Sequence, residues 1–116
     1  LVVSAVEQEI SDLEAMECLA LQKRDTLVLR KLLIRDFTLD YPNELVAGEN
    51  PIPYYVSYSR MVENFSAFQQ TVYTSGYETF QKIDANGKLE DVVKRAYSHT
   101  WTRLAGTWKL TSKTRN

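Results

Sequence analysis

The chain carries a single imidazole, His99, in the run Arg95-Ala96-Tyr97-Ser98-His99-Thr100-Trp101-Thr102-Arg103. Successive side chains of an extended strand point to opposite faces. Arg95, Tyr97, His99, Trp101 and Arg103 therefore share one face, and Lys94, Ala96, Ser98, Thr100 and Thr102 the other. Histidine is the side chain whose ordinary pKa lies closest to neutrality, so His99 is the candidate for moving a proton to or from a carbon acid or a leaving hydroxyl. A phenol such as Tyr97 or Tyr41 could donate a hydrogen bond to a developing enolate, and Arg95 could hold an anionic substrate. The same residues also fit a structural histidine packed among core aromatics.

The bulky face of this strand is expected to point inward, joined by Trp108 and Leu110 from the next strand. Tyr41, Tyr55 and Tyr73 are expected to contribute from the rim and neighbouring strands. A cavity built this way is mostly aromatic with a few polar groups, and it suits a small hydrophobic or aromatic molecule. Seven tyrosines in 116 residues point the same way, because a buried phenol needs a partner for its hydroxyl and finds one at a pocket or an interface. Glu17 is a further candidate, either a pocket acid with a raised pKa or a solvated helix position. The single cysteine, Cys18, allows no internal disulfide, and with one histidine it offers no metal-ligand spacing. Neither a metal nor a cofactor is expected, and Cys18 reads as a small buried residue.

These side chains need a scaffold. From Ser4 to Gln22, Val6, Ile10, Leu13, Met16, Ala20 and Leu21 recur at helical spacing with acids mostly between them, which predicts an amphipathic helix capped by Ser4. Asp25 caps a second helix through Leu33 that buries Leu29, Leu32 and Leu33. Asp36 to Tyr41 alternates and stops at Pro42-Asn43, a short strand. Pro51 and Pro53 interrupt the next stretch, where a short third helix is expected from Ile52 to Tyr58. Beyond Arg60 the period becomes two, in runs of roughly Met61 to Phe68, Thr71 to Ile83, Glu90 to Arg103 and Thr107 to Arg115, joined by hairpin turns at Gln69-Gln70, Asp84 to Gly87 and Leu104 to Gly106. Strands this long must twist or bulge, and Gly76 is the candidate bend. Helices ahead of an antiparallel meander define an α+β fold. Two to three N-terminal helices then close a strongly curved sheet, a cone-shaped barrel enclosing a pocket.

Length and composition agree with one domain spanning residues 1–116, and a net charge of -1 with 44% apolar residues excludes a disordered chain. Bases outnumber acids from Lys82 onward, but the overall balance argues against nucleic-acid binding. Charges on strand edges that discourage edge pairing explain the basic tail. No run is long enough to span a bilayer, so no membrane is expected as a partner. A soluble protein follows, cytoplasmic or exported after removal of a leader. A modest core makes a homodimer through the sheet the expected assembly.

Ala20-Leu21-Gln22-Lys23-Arg24-Asp25, then Leu32 to Pro42, then Tyr97 to Arg103 and Gly106-Thr107-Trp108-Lys109-Leu110 together resemble the nuclear-transport-factor-two-like superfamily, in particular its ketosteroid-isomerase and polyketide-cyclase (SnoaL-like) branch. The resemblance covers nearly the whole chain. It implies a small-molecule pocket protein acting without cofactor as a lyase, isomerase or cyclase, or else a non-catalytic ligand-binding or dimeric association module. In the isomerase the general-base carboxylate stands just before the proline, where this chain has Tyr41, with Asp40 one residue earlier. The isomerase's oxyanion tyrosine matches Glu17, and its protonated acid falls near His99 or Thr100. No residue type is kept at the three positions. One histidine also cannot supply the histidine pair of scytalone-type dehydratases, and no Asp-Arg-Asp set for epoxide hydrolysis is evident. Asp40, His99 and Tyr41 are left as the catalytic candidates, with Tyr97, Trp101, Arg95, Tyr73, Tyr55 and Glu17 as ligand contacts.

Overall fold

A computed structural model describes residues 4–33 and 54–115. Ser4 accepts a hydrogen bond from the Glu7 amide and starts helix α1 (Ala5–Lys23). Arg24 ends it in the left-handed conformation, and its amide is tied back to the carbonyls of Ala20 and Leu21. Asp25 then caps α2 (Thr26–Leu32) by accepting from the Val28 amide. Both predicted caps are in place. Met16 is the exception on the expected apolar stripe of α1: it is 47% exposed, and Glu14 and Glu17 are buried instead.

Four strands follow, β1 (Tyr54–Phe68), β2 (Thr71–Ile83), β3 (Val93–Leu104) and β4 (Thr107–Arg115). They form one antiparallel sheet in the order β1-β2-β3-β4. The expected α+β arrangement of helices on a curved antiparallel sheet is present, and among the described residues β1 and β4 do not pair, so the sheet is not closed into a barrel. The expected third helix over Ile52 to Tyr58 is overturned. Tyr54 to Tyr58 are extended and paired with β2, and alternation of buried Tyr55 and Tyr58 with exposed neighbours follows the sheet. The proline-flanked start misled because prolines can precede a strand as easily as open a helix. The strand Asp36 to Tyr41 lies outside the described residues.

Bulging is where long strands require it. β1 shifts register against β2 between Tyr55 and Ser57 and again between Val62 and Asn64, and β3 shifts against β4 between Thr100 and Trp101. Gly76 stands opposite Val62 at the second of these. The hairpin turns carry positive φ at Gln69, Ala105 and Gly106.

The inner side holds two apolar clusters. Tyr55, Tyr58, Phe80, Ala20, Leu21 and Leu29 form one, with Tyr58 stacked on Phe80. Ile10, Val72, Trp101, Trp108 and Leu110 form the other. Helix α1 and strand β2 contribute buried residues to both. Between them on α1 lie Glu14 and Glu17, on β2 Thr74 and Glu78, on β3 Tyr97 and His99, and on β1 Arg60. The middle layer of the interior is therefore charged.

Candidate functional site

Arg60 is the centre of this layer. Its side chain is only 2% exposed, and its guanidinium meets three carboxylates: Glu14 at 3.1 Å, Glu17 at 2.5 Å, and Glu78 in a short pair. Lys113 Nζ donates to Glu17 Oε2 at 2.8 Å, and Arg95 Nε reaches Glu78 Oε1 at 3.3 Å. Three carboxylates thus face three cations. Tyr58 donates to Glu78 at 2.6 Å. Desolvation of several such charges is repaid only when each is paired and hydrogen-bonded, as here.

Glu14 accepts most. Trp101 Nε1 donates to Oε1 at 2.7 Å, Thr74 Oγ1 at 2.8 Å, and His99 Nδ1 lies at 2.8 and 3.1 Å from its two oxygens. Burial alone would raise its pKa, but the His99 hydrogen bond, the Arg60 charge and the Trp101 hydrogen bond outweigh it and hold it down at about 2. Burial pushes His99 below its ordinary 6.5, against the pull of Glu14. The imidazole is neutral at pH 7. Next to an ionised carboxylate Nδ1 carries the proton, which leaves Nε2 as a lone-pair acceptor. Nε2 and the Tyr97 hydroxyl are buried and have no hydrogen-bond partner among the described residues. Their rings are neighbours, with centroids 4.7 Å apart.

The sequence candidates separate clearly. His99, Tyr97 and Trp101 are brought together on the inner face, as expected, and Arg95 is paired with Glu78. Tyr55 belongs to the apolar cluster with Phe80. Tyr73, 51% exposed, projects from the opposite face of β2, and Arg103 is exposed with its guanidinium over the Trp108 ring. Glu17 is neither solvated nor raised. Burial opposes its charge, but Arg60 and Lys113 lower its pKa. Asp40 and Tyr41 lie outside the described residues. Sequence reading missed Glu14, Arg60, Glu78 and Lys113. Burial raises the Cys18 thiol to about 11, so it is not a nucleophile at neutral pH.

A groove of about 600 Å³ opens between α1 and β1, lined on its apolar side by Ala15, Leu19, Met61, Val62 and Phe65. Glu14, Tyr58 and Arg60 also line it, so the charged layer reaches it. Among the described residues no group of three or more His, Cys, Asp or Glu side chains could hold a metal ion, and no helix is long and apolar enough to cross a membrane.

Stability should follow the carboxylates. Glu14 and Glu78 have folded pKa values below the ordinary 4.5, so their contribution is complete above that value and is lost as pH falls through the folded values. For Glu14 alone, the drop to about 2 corresponds to about 3 kcal/mol. Urea unfolding should show stability falling steeply from pH 5 to pH 2, and a flat profile there would contradict the ionised layer.

The fold defines a class. A Salmonella enterica protein of the nuclear transport factor 2 (NTF2)-like superfamily superposes with a TM-score of 0.79 at 13% identity, over 99% of this chain and 92% of that one. An NTF2-like protein from Cytophaga hutchinsonii gives 0.74 at 19% identity, covering 98% of each chain. The association domain of C. elegans CaMKII gives 0.67 at 16%, over 97% of this chain and 95% of that one. The protein has the NTF2-like fold, and likeness at these identities carries no more than the fold. No family model matches the sequence, and no curated protein does.

Proposed function

We propose that the protein binds a small hydrophobic or aromatic molecule and acts on it by proton transfer to His99, as a cofactor-independent isomerase, lyase or cyclase of the SnoaL-like type. The observation that carries this reading is the Glu14–His99 pair: a carboxylate 2.8 Å from Nδ1 fixes the tautomer, and Nε2 is left without a partner among the described residues. This is the arrangement by which an orienting acid prepares an imidazole base. Glu14 is a positioning residue, and it is too heavily hydrogen-bonded to serve as the base itself. Tyr97 supplies the donor for charge developing on the substrate.

A screen of copurifying small molecules by native mass spectrometry, followed by turnover assays, tests the reading. His99→Gln should lower kcat by about 10²-fold or more while the protein stays folded. A base must be unprotonated, so kcat/KM should rise with pH through a pKa below 6.5 and be flat above it. Glu14→Gln should move that pKa. Turnover that is unchanged in His99→Gln ends the proposal.

A second reading is favoured by the outer sheet face, where Tyr73 and Tyr77 are exposed. One protein of the same fold is an association domain, and a homodimer through this face would cover both rings. Tyr73→Lys with Tyr77→Lys should convert a dimer to monomer in sedimentation equilibrium. A wild-type monomer at micromolar concentration would dismiss this assembly.

A further inference from the structure

The groove between α1 and β1 follows a strand edge, a feature that stands apart from the reaction proposed above. Side chains of a strand alternate between its faces, so a pocket against one face of β1 would meet every second residue. This groove is lined by Arg60, Met61 and Val62 in succession. It therefore runs along the outer edge of β1 and not beneath one face. The order of the sheet gives that edge no neighbouring strand among the described residues.

The edge presents its own backbone to the groove. Strand β1 keeps regular register with β2 from Ser57 to Val62, between its two bulges. In an antiparallel pair the amide and carbonyl of one residue point to the same side, and successive residues alternate. A Cβ on Gly76 of β2 would meet the Met61 carbonyl oxygen at 1.9 Å, so Met61 turns its carbonyl toward β2. The Tyr58 carbonyl faces the other way, where it accepts from the Cys18 thiol at 3.6 Å. By the same alternation Arg60 and Val62 turn their amides and carbonyls to the groove. Facing away from β2, these four groups have no backbone partner among the described residues.

Length and charge define what fits. The opposite wall is a stripe of α1 from Ser11 through Ala15 and Leu19 to Gln22, about 16 Å of helix. An extended chain covers that distance in about five residues. Leu19 and Met61, on opposite walls, are 50% and 66% exposed and offer apolar surface to cover. Glu14 lies against Arg60 and Cys18 against Tyr58, so α1 and β1 run in opposite directions. Glu7, one turn before Ser11, and Glu63, next after Val62, therefore stand at the same end of the groove. Together α1 and β1 carry six carboxylates, Glu7, Glu9, Asp12, Glu14, Glu17 and Glu63, against two bases, Lys23 and Arg60. Arg60 is already engaged by three carboxylates, and Lys23 stands at the far end. The complement of this surface is basic.

We propose that this edge takes up an extended, basic segment of another protein, about five residues long, as an added strand beside β1. Arg60 and Val62 exchange backbone hydrogen bonds with it, Leu19 and Phe65 cover its inward side chains, and the end marked by Glu7 and Glu63 receives a lysine or arginine.

The probe is the peptide acetyl-Lys-Val-Lys-Val-Thr-amide, titrated into the whole chain by calorimetry and followed by amide hydrogen exchange. Without peptide, the amides of Arg60 and Val62 should exchange faster than those of Ser59 and Met61. Near saturation they should slow by about tenfold. Methylating the peptide nitrogens of one alternate set should weaken binding by about tenfold or more, and methylating the other set should leave it unchanged, because one set alone faces β1. Glutamates in place of the lysines should weaken it at least about tenfold, and Glu63→Lys several-fold. Leu19→Lys, on an exposed helix position, should keep the circular dichroism of the wild type and lose the peptide. Equal binding of the two methylated peptides, equal binding of the glutamate peptide, or no binding at all overturns the proposal. Protection of Arg60 and Val62 equal to that of Ser59 and Met61 before any peptide is added also overturns it, since the chain itself would then cover the edge. Self-association that disappears in Leu19→Lys would assign the edge to a second copy and overturn it as well.

Discussion

Arg60→Leu is expected to destabilise the protein by about 3–5 kcal/mol at pH 7, the usual cost of removing one partner from a buried ionic pair, and here three carboxylates lose that partner together. Domains of this size are stable by only about 5–15 kcal/mol, so a large share of the variant should be unfolded at physiological temperature. The more telling result is its pH dependence. In the wild type the carboxylate pKa values are lowered, and stability rises as pH climbs from 2 toward 5. Without Arg60, burial is opposed at Glu14 by His99 and Trp101, at Glu17 by Lys113 and at Glu78 by Lys113 and Tyr58, so the three acids are held down less strongly than in the wild type. A smaller lowering contributes less stability above the unfolded pKa and leaves less to lose on acidification, so the slope should flatten, with Arg60→Leu gaining less stability between pH 4 and pH 7 than the wild type does. Adding Glu14→Gln, which leaves Glu17 and Glu78 against Lys113 and Arg95, should recover part of the lost stability at neutral pH. Urea midpoints at the two pH values decide the matter, and an unchanged midpoint would mean that the layer is not held by Arg60.

Gly76→Ala is expected to be nearly as damaging, for a steric reason. A Cβ built on Gly76 would lie 1.9 Å from the Met61 carbonyl oxygen and 3.0 Å from the Glu63 amide nitrogen, both backbone atoms held in the sheet. Neither atom can swing away as a side chain would. The bulge of β1 between Val62 and Asn64 closes over this position and must open to admit a methyl group. A loss of about 3 kcal/mol is expected, at the upper end for overpacking. Gly87→Ala is the natural control. It is strained by its φ of +80° but has open space around it, so it should cost only about 1 kcal/mol. Similar losses for the two variants would show that backbone crowding at Gly76 is not the cause.

The strands were the most legible part of the sequence. Period-two alternation placed Tyr97, His99 and Trp101 on one face of β3, and the limits of β2 and β4 match the sequence reading. Helix caps at Ser4 and Asp25 were legible because short polar side chains in those positions have few other uses. The ionic layer was hidden because an acid on an amphipathic helix ordinarily marks its wet side. A signal was nevertheless present in the phase. Glu14 and Glu17 lie on the same helical stripe as Ile10 and Leu21, and Glu78 falls in step with Val72 and Phe80. Lys113 and Arg60 are less readable, because each belongs to a strand with a register shift along it or beside it, and a bulge changes which residues face inward.

The spacing of the ion pairs along the chain has a further consequence. Glu17 meets Lys113, 96 residues later, and Glu14 meets His99 and Trp101, 85 and 87 residues later. During synthesis from the amino end, α1 therefore emerges with two charged positions on the face it will eventually bury, and the groups that neutralise them do not yet exist. That face is a poor surface for premature hydrophobic collapse, so the nascent helix stays hydrated until β1 brings Arg60 to Glu14 and Glu17. The interior can close only when β3 and β4 arrive, after the entropy of a very long loop has been met, and folding should be correspondingly slow. The carboxylates that fasten the finished interior also keep the unfinished one open.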